Sequence, residues 1–280
     1  MRCSFHKARF HRVVFKYVKF FGVLFFLAAG LMLFGAPPAW AFGCEAHEII
    51  AMIAEKRLTP HAASMVQQLL KENPIDPALN RYCRQPNLDE MSYSSTWADD
   101  YRAVHRETAP WHQINIPIII NKGDLAEYCP PSEGCVTQAL KDQIARLRAP
   151  DTDPQKRANA LRFVIHFIGD MHQPLHTANN NDLGGNCIPI TFFGEAPTLT
   201  NPQYESYAPN LHGMWDYGIL QKARLDMNVQ QVAGEFDRKY AAQEAKWVRG
   251  RVDIDAWAWE SFRVAKSTAY EKLPVRVPVE

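Results

Sequence analysis

Two histidine–aspartate pairs, each with a spacing of four residues, lie in otherwise apolar sequence. His166 and Asp170 occur in ALRFVIHFIGDMHQPLH, and His212 and Asp216 occur in NLHGMWD. Residues at positions i and i+4 project from the same face of an α-helix, so each pair places an imidazole beside a carboxylate. One such pair is usually a contact on a helix surface. Two pairs in apolar sequence, with further histidines nearby, favour a metal site.

Other histidines and aspartates extend this pattern. The further candidate ligands are His47, Asp99, His112 and His176. Imidazole nitrogen and carboxylate oxygen are the ligands that zinc takes in catalytic sites, where at least one position stays open for water. His61, His105 and His172 fit no ligand pattern, and we assign them to the surface or to the layer behind the ligands.

The amino terminus has the order of a secretory signal peptide. Six cations precede the apolar run 20–36, which is followed by two prolines and the triplet Ala39, Trp40, Ala41. We predict cleavage after Ala41, so that residues 1–41 are the signal peptide and residues 42–280 form one exported domain, periplasmic or secreted. The alternative is an uncleaved anchor, since about 17 apolar residues are just enough to span a bilayer.

The balance of basic and acidic residues limits the kinds of substrate that the protein can bind. The chain has 31 basic and 30 acidic residues, but the six cations of the leader leave 25 basic and 30 acidic residues after residue 41. A net charge of −5 on that part provides no general basic footprint for duplex nucleic acid. An anionic substrate must be attracted locally, by a metal or by a few arginines.

Five cysteines follow the leader, an odd number for an oxidising compartment. Cys129 and Cys135 bracket a short PPSEG loop and are predicted to form a disulfide. The second choice is Cys44 with Cys83, which leaves Cys187 free.

Apolar residues recur at helical spacing through most of the mature chain, which predicts an all-α, single-domain fold with long loops. The predicted helices span 47–58, 60–70, 89–106, 132–148, 153–170, 215–240 and 254–271. Between Thr177 and Leu211 the composition turns to Asn, Gly, Pro and Tyr, which predicts a long loop with at most one small β-hairpin, near 188–193. Such a loop in a compact helical protein is often part of a site.

The order FGCEAHEIIAMIAEKRL, WADDYR, WHQIN, HFIGDMHQPLH, GGN and NLHGMWD resembles the zinc-dependent single-strand nucleases of fungi, plants and bacteria. The resemblance runs from Phe42 to about Asp216, and the side-chain ligands match in order and spacing. It implies the mainly helical fold shared by zinc phospholipases C and single-strand nucleases.

The resemblance also implies three zinc ions per chain. Asp99, His112 and His166 would hold the first, with Asp170 bridging it to the second. His47 and the α-amino and carbonyl groups of Phe42 would complete the second site. The third would take His176, His212 and Asp216. The family usually begins with Trp where this chain has Phe42, a difference of little weight because backbone atoms are the ligands. Cleavage after Ala41 would free the amine that this site needs.

The implied activity is hydrolysis of single-stranded DNA and RNA to 5′-phosphate products, with 3′-nucleotidase activity left open. Zinc lowers the pKa of bound water from about 15.7 toward 7, so no side-chain nucleophile is needed. Asp170 and Arg102 are the predicted catalytic side chains. Arg102 matches the family arginine that steadies the phosphate, although a helix-surface arginine would fit its spacing equally well. No stable protein partner is implied, and membrane contact is limited to the signal segment.

Substrate specificity is where this chain departs from its fungal relatives. In the fungal proteins, the position of Gln113 holds an aromatic residue that stacks on a base. The position of Asn115 holds an aspartate. Stacking would then come from the long loop, although its aromatic residues fit a core role equally well. The loop candidates are Phe192, Phe193, Tyr204 and Tyr207. The GGN segment, Gly184, Gly185 and Asn186, allows close backbone approach to a ligand or forms a plain turn.

Two other functions are compatible with parts of the pattern. A zinc phospholipase C shares the fold and the trinuclear site, but the spacing to His47 and the aspartate at position 216 favour the nuclease. A membrane-anchored helical module with structural zinc would need closed four-ligand sites, which a bridging Asp170 argues against.

Overall fold

A computed structural model of the chain describes residues 43–79, 81–83, 88–201, 206–224, 226–247 and 252–273. The predicted signal peptide, its cleavage site, Phe42 and Tyr204 lie outside these residues. Within the described ranges, no helix is both long and apolar enough to cross a membrane.

The described residues are mainly helical, as predicted. The α-helices are α1 (Cys44–Glu55), α2 (Pro60–Glu72), α3 (Glu90–Ser94), α4 (Trp97–Val104), α5 (Val136–Arg148), α6 (Pro154–His172), α7 (Leu211–Gly213), α8 (Ile219–Arg224), α9 (Val229–Trp247) and α10 (Ile254–Val264). Short polar side chains cap several of these helices at their amino ends. Thr59 accepts from the backbone N–H of Ala62, and Asp153 accepts from that of Lys156. Each is followed by proline at the first helical position, where a missing N–H costs nothing.

Two predicted helices are each split. The segment 89–106 divides into α3 and α4 at Ser95. The segment 215–240 consists of a π-helical turn (Met214–Gly218), then α8 and α9. Asn228 causes the second division, because its side chain accepts from the backbone N–H of Gln231 while the Gln231 side chain accepts from the N–H of Asn228. This reciprocal capping starts a new helix.

The strands are short. Strand β1 (Ile116–Pro117) pairs in parallel with β2 (Ala178–Asn179), and β3 (Thr198–Asn201) pairs antiparallel with β4 (Ser206–Ala208). The hairpin therefore lies later in the chain, and the prediction that placed it near 188–193 was wrong. Positive φ angles at Phe193 and Gly194 close a tight turn there instead, with Phe192 and Glu195 exchanging backbone hydrogen bonds.

Helix α6 lies at the centre of the molecule. It packs against α1, α4, α5 and α10, and most of its length is buried. Phe163 and Phe167 stack with ring centroids 5.1 Å apart, and Trp97 of α4 meets Phe163 edge-on at 5.0 Å. Because apolar contacts surround α6 on several sides, polar groups on its buried face are withdrawn from water.

The disulfides Cys129–Cys135 and Cys44–Cys83 are both present, as predicted. Cys187 is also disulfide-bonded in the full-length chain, whereas the predicted free thiol refers to the chain after residue 41 and stays a prediction. That expectation rested on the odd number of cysteines after residue 41. Two disulfides within the described chain fit a secreted protein.

Candidate metal centre

His166 and Asp170 lie one turn apart on the buried face of α6, and neither is exposed to solvent. The Nδ1 of His166 lies 2.7 Å from the backbone carbonyl of Ser95. A carbonyl only accepts, so Nδ1 carries the proton and Nε2 presents its lone pair. That Nε2 is 3.1 Å from Oδ2 of Asp170. Ser95 terminates α3, so the break between α3 and α4 supplies the acceptor that orients this histidine.

Asp99, His112 and His166 form a first group of potential ligands, whose donor atoms all lie within 4.8 Å of one another. Asp99 comes from α4, and His112 ends the 3-10 turn Arg106–His112. The Oδ1 of Asp99 is 3.7 Å from both His112 Nδ1 and His166 Nε2. All three side chains are buried.

His47, His166 and Asp170 form a second group. Helix α1 brings His47 against α6, where its ring stacks on that of His166 at 3.9 Å. The two oxygens of Asp170 face different partners: Oδ1 lies 3.4 Å from His47 Nε2, whereas Oδ2 lies 2.8 Å from His112 Nδ1. One carboxylate thus serves both groups, the geometry that a bridging ligand requires.

His176, His212 and Asp216 form a third group, and all three are buried. The Nδ1 of His212 lies 2.8 Å from the carbonyl of Gly184, so its Nε2 lone pair faces Asp216 Oδ2 at 3.3 Å. His176 connects this group to Asp170, whose Oδ1 is 3.4 Å from His176 Nδ1. The three groups are therefore contiguous.

Acceptor atoms face one another in this centre, and burial makes that arrangement costly without a cation. The two oriented histidines each present a lone pair to a carboxylate oxygen. Oδ1 of Asp170 has no hydrogen-bond donor among the described residues, and Oδ1 of Asp99 has none apart from its ion pair with Arg102. Buried acceptors without donors are destabilising, whereas a metal ion satisfies several of them at once. The donor set therefore fits metal ions.

The ionisation of His112 and Asp216 agrees with this view. At His166, by contrast, burial is outweighed by the charges of Asp170 and Asp99, which raise the pKa to about 9, so that a metal ion would have to displace that proton. Burial, followed by the nearby charge of Arg102, lowers the pKa of His112 to about 4, which keeps the imidazole neutral. Burial raises the pKa of Asp216 to about 7. Neutral imidazole is the form that binds metal, and a cation beside Asp216 would replace the proton that burial otherwise favours.

The remaining predicted residues lie around this centre. Nη2 of Arg102 is 3.1 Å from Oδ1 of Asp99, and its side chain is partly exposed. Gln113 and Asn115, which follow His112, are exposed. Their contact with substrate, and the role of Arg102 toward phosphate, stay predictions.

The GGN segment forms a turn behind His212. Gly184 and Gly185 are buried with φ of +61° and +87°, and Asn186 donates from its side chain to the carbonyl of Leu183. A Cβ on Gly184 would lie 2.6 Å from the carbonyl oxygen of Leu175, so only glycine fits there. Substrate contact by this segment stays a prediction.

Sequence reasoning missed Gln173. Its Nε2 donates to Oδ1 of Asp216 at 2.6 Å, and its Oε1 accepts from the backbone N–H of Leu175. Gln173 thus fixes one oxygen of a potential ligand. Its position between the two candidate ligands Asp170 and His176, directly before Pro174, is the sequence feature that could have identified it.

The start of the described chain lies against the third group. The backbone N–H of Gly43 donates to the carbonyl of Asp216 at 2.9 Å, and a Cβ on Gly43 would lie 2.9 Å from Cβ of Tyr217. The disulfide from Cys44 to Cys83 ties down the next residue. Ligation by Phe42 stays a prediction, because that residue lies outside the described chain.

The ligand candidates lie in a part of the sequence that matches a known protein family. The model of a family described as S1/P1 Nuclease matches residues 42–277. The chain belongs to the S1/P1 nuclease family. It is 28% identical to Endonuclease 2 of Arabidopsis thaliana over 86% of this chain and 80% of that protein. It is 30% identical to Nuclease P1 of Penicillium citrinum over 75% of this chain and 72% of that protein. S1/P1 nucleases are hydrolases of phosphodiester bonds, and so is this protein.

Gly169 provides a test of the second group in this S1/P1 nuclease. A Cβ at Gly169 would lie 2.8 Å from Nδ1 of His47. We expect Gly169→Ala to displace His47 and to weaken metal binding there by about 10- to 100-fold. The measurement is metal content after dialysis against buffered zinc.

The matched control is Gly234→Ala in α9, where the added Cβ would meet no described atom within 4 Å beyond the nearby backbone of its own helix. It should leave metal content unchanged and stabilise the protein by up to about 1 kcal/mol, the usual gain for alanine over glycine in a helix. Full metal retention by Gly169→Ala would contradict the placement of His47.

Proposed function

We propose that this protein is a zinc-dependent endonuclease that cleaves single-stranded DNA and RNA and leaves 5′-phosphates. The observation that carries the proposal is the Asp170 carboxylate, whose two oxygens face two different groups of buried histidines. A carboxylate so placed can hold two metal ions close together, the arrangement that phosphodiester hydrolysis uses.

Three zinc ions would occupy the three groups, with the Phe42 amine and carbonyl completing the second. Imidazole and carboxylate donors without thiolates suit zinc. Bound zinc supplies Lewis acidity toward the phosphate and an activated water at neutral pH. The family match begins at residue 42, which supports release of Phe42 as the mature terminus.

The protein's own residues hold and orient the reacting groups. Ser95 and Gly184 accept from Nδ1 of His166 and His212 and so fix the direction of each Nε2. Arg102, held beside Asp99 and partly exposed, is placed to pair with a substrate phosphate. Export to the periplasm or the medium is consistent with the two disulfides.

A comparison of single-stranded with duplex substrates tests this function. A duplex buries its bases and holds its backbone stiff, whereas a single strand can bring its phosphate into a buried centre at little cost. Unstacking costs a few kcal/mol, so single strands should be cut about 100-fold faster than a duplex of the same sequence. The measurement uses the mature protein with its zinc content determined, on labelled single-stranded DNA, RNA and a blunt duplex, with product ends assayed for 5′-phosphate.

Two controls accompany this comparison. A chelator should abolish cleavage, and added zinc should restore it. Hydrolysis of a choline phospholipid in place of single strands would favour a phospholipase C, and equal rates on single strands and a nick-free duplex would refute the proposal.

A further inference from the structure

Tyr270 lies far from the candidate metal ligands in sequence. Hydrogen bonds at both ends of the turn 182–184 nevertheless connect it to His212. It occupies the π-helical turn Ala265–Tyr270 that continues α10. Its hydroxyl lies 3.0 Å from both carboxylate oxygens of Asp182, which is buried. Burial, followed by the Asp182 charge, raises the pKa of Tyr270, so the hydroxyl keeps its proton and donates it.

Asp182 in turn organises the turn that carries Gly184. Its Oδ1 accepts from the backbone N–H of Asn180 at 3.2 Å, and its carbonyl accepts from the N–H of Cys187 at 3.0 Å. Leu183, between Asp182 and Gly184, has a φ of +56°. A residue other than glycine is strained in that region and persists there only where surrounding contacts hold it.

The turn ends in the contact that orients His212. The Gly184 carbonyl accepts from Nδ1 of His212 at 2.8 Å, which directs Nε2 toward Asp216. Gly184 is closely packed, because a Cβ added to it would lie 2.6 Å from the carbonyl oxygen of Leu175. The position of this carbonyl therefore depends on the turn, and the turn is fixed by Asp182.

We propose that Tyr270 is a positioning residue for the third metal group, acting through Asp182 and the Gly184 carbonyl on His212. This rests on the proposed function, because it assigns a metal ion to His176, His212 and Asp216. The hydrogen bonds of the Tyr270 hydroxyl go to Asp182 and not to a ligand candidate. Its effect is on how well His212 is oriented before metal binds, and so on the affinity of that one site.

The central variant is Tyr270→Phe, which removes the hydroxyl and keeps the ring in the core. Zinc affinity at the third group should fall by about 10-fold, the lower end of the loss for a group that contacts a ligand directly, because Tyr270 acts on His212 through Asp182 and the turn. The other zinc ions should be retained. Activity should fall at limiting zinc and recover with excess zinc, with KM for single strands unchanged. The measurement is a chelator-competition titration of zinc, with activity followed in parallel.

Tyr128→Phe is the matched control. Both tyrosines are half-buried and pack against the same core cluster. The Tyr128 hydroxyl makes no hydrogen bond to another described residue that would be lost. Tyr128→Phe should therefore bind zinc as the wild-type protein does.

His212→Ala identifies the affected zinc ion. It should remove one zinc, and adding Tyr270→Phe to it should cause no further loss, because two changes on one pathway do not add. A lower melting temperature of Tyr270→Phe with every zinc affinity unchanged would overturn the proposal, as would equal weakening of all sites. Weakening of the His212-dependent zinc in a protein that cuts no nucleic acid would support the role of Tyr270 and refute the nuclease.

Discussion

Asp170→Asn should lower cleavage of single-stranded DNA by well over 100-fold, more than the loss typical of groups behind the ligands. The amide offers one weakly binding oxygen in place of two charged ones, and its NH2 would face one of two histidine groups. The metal ions would lose their shared ligand. The helix should persist, since the side chains are nearly equal in size.

Cleavage rate and zinc content measured on the same preparation check this expectation. Asp142→Asn on α5 is the control, because that carboxylate is exposed and its partner in the structure is the neighbouring Gln138. It should behave as the wild-type protein. Near-normal activity of Asp170→Asn with three bound zinc ions would exclude the bridging role.

A single residue added before Phe42 should be almost as damaging. If the amine and carbonyl of Phe42 bind the zinc that His47 binds, an extra methionine turns the amine into an amide with almost no metal affinity. Gly43, the residue that follows Phe42, donates its backbone N–H to the carbonyl of Asp216, a ligand candidate of the third group. Metal affinity should fall by far more than the roughly 10- to 100-fold of damage behind the ligands.

Removal of the extra residue gives the control within one preparation. A protease site placed directly before Phe42 allows zinc content and cleavage to be measured before and after digestion. Both should rise together. Phe42→Trp should be close to neutral, because backbone atoms coordinate. Full activity with the extension attached would rule out the N-terminal chelate.

The sequence predicted the ligand candidates because their spacing has a direct structural meaning. His166 and Asp170 share a face of α6 through the helical repeat alone. The grouping of His47 with Asp170 depends instead on how α1 packs against α6, and no local pattern contains that information. Residue types identified the candidate ligands, and tertiary contacts determined which of them share a group.

The groups that orient the ligands were harder to foresee. Ser95 and Gly184 act through backbone carbonyls, and every residue has a carbonyl, so their identities carry no signal. The hairpin was misplaced because the positive φ at Phe193 closes a turn that apolar alternation does not reveal. The split between α8 and α9 was detectable in principle, since Asn228 and Gln231 have the spacing of a capping box.

The disulfide between Cys44 and Cys83 holds the chain two residues after the proposed ligand Phe42. Thiols stay reduced in the cytosol, so this restraint would form only after the proposed export, the stage at which the predicted leader would be removed. The newly made precursor would lack both the free amine and the restraint on it. If Phe42 is a ligand, a cell producing this protein would keep its own RNA safe from it without an inhibitor, because the enzyme would become active only after export.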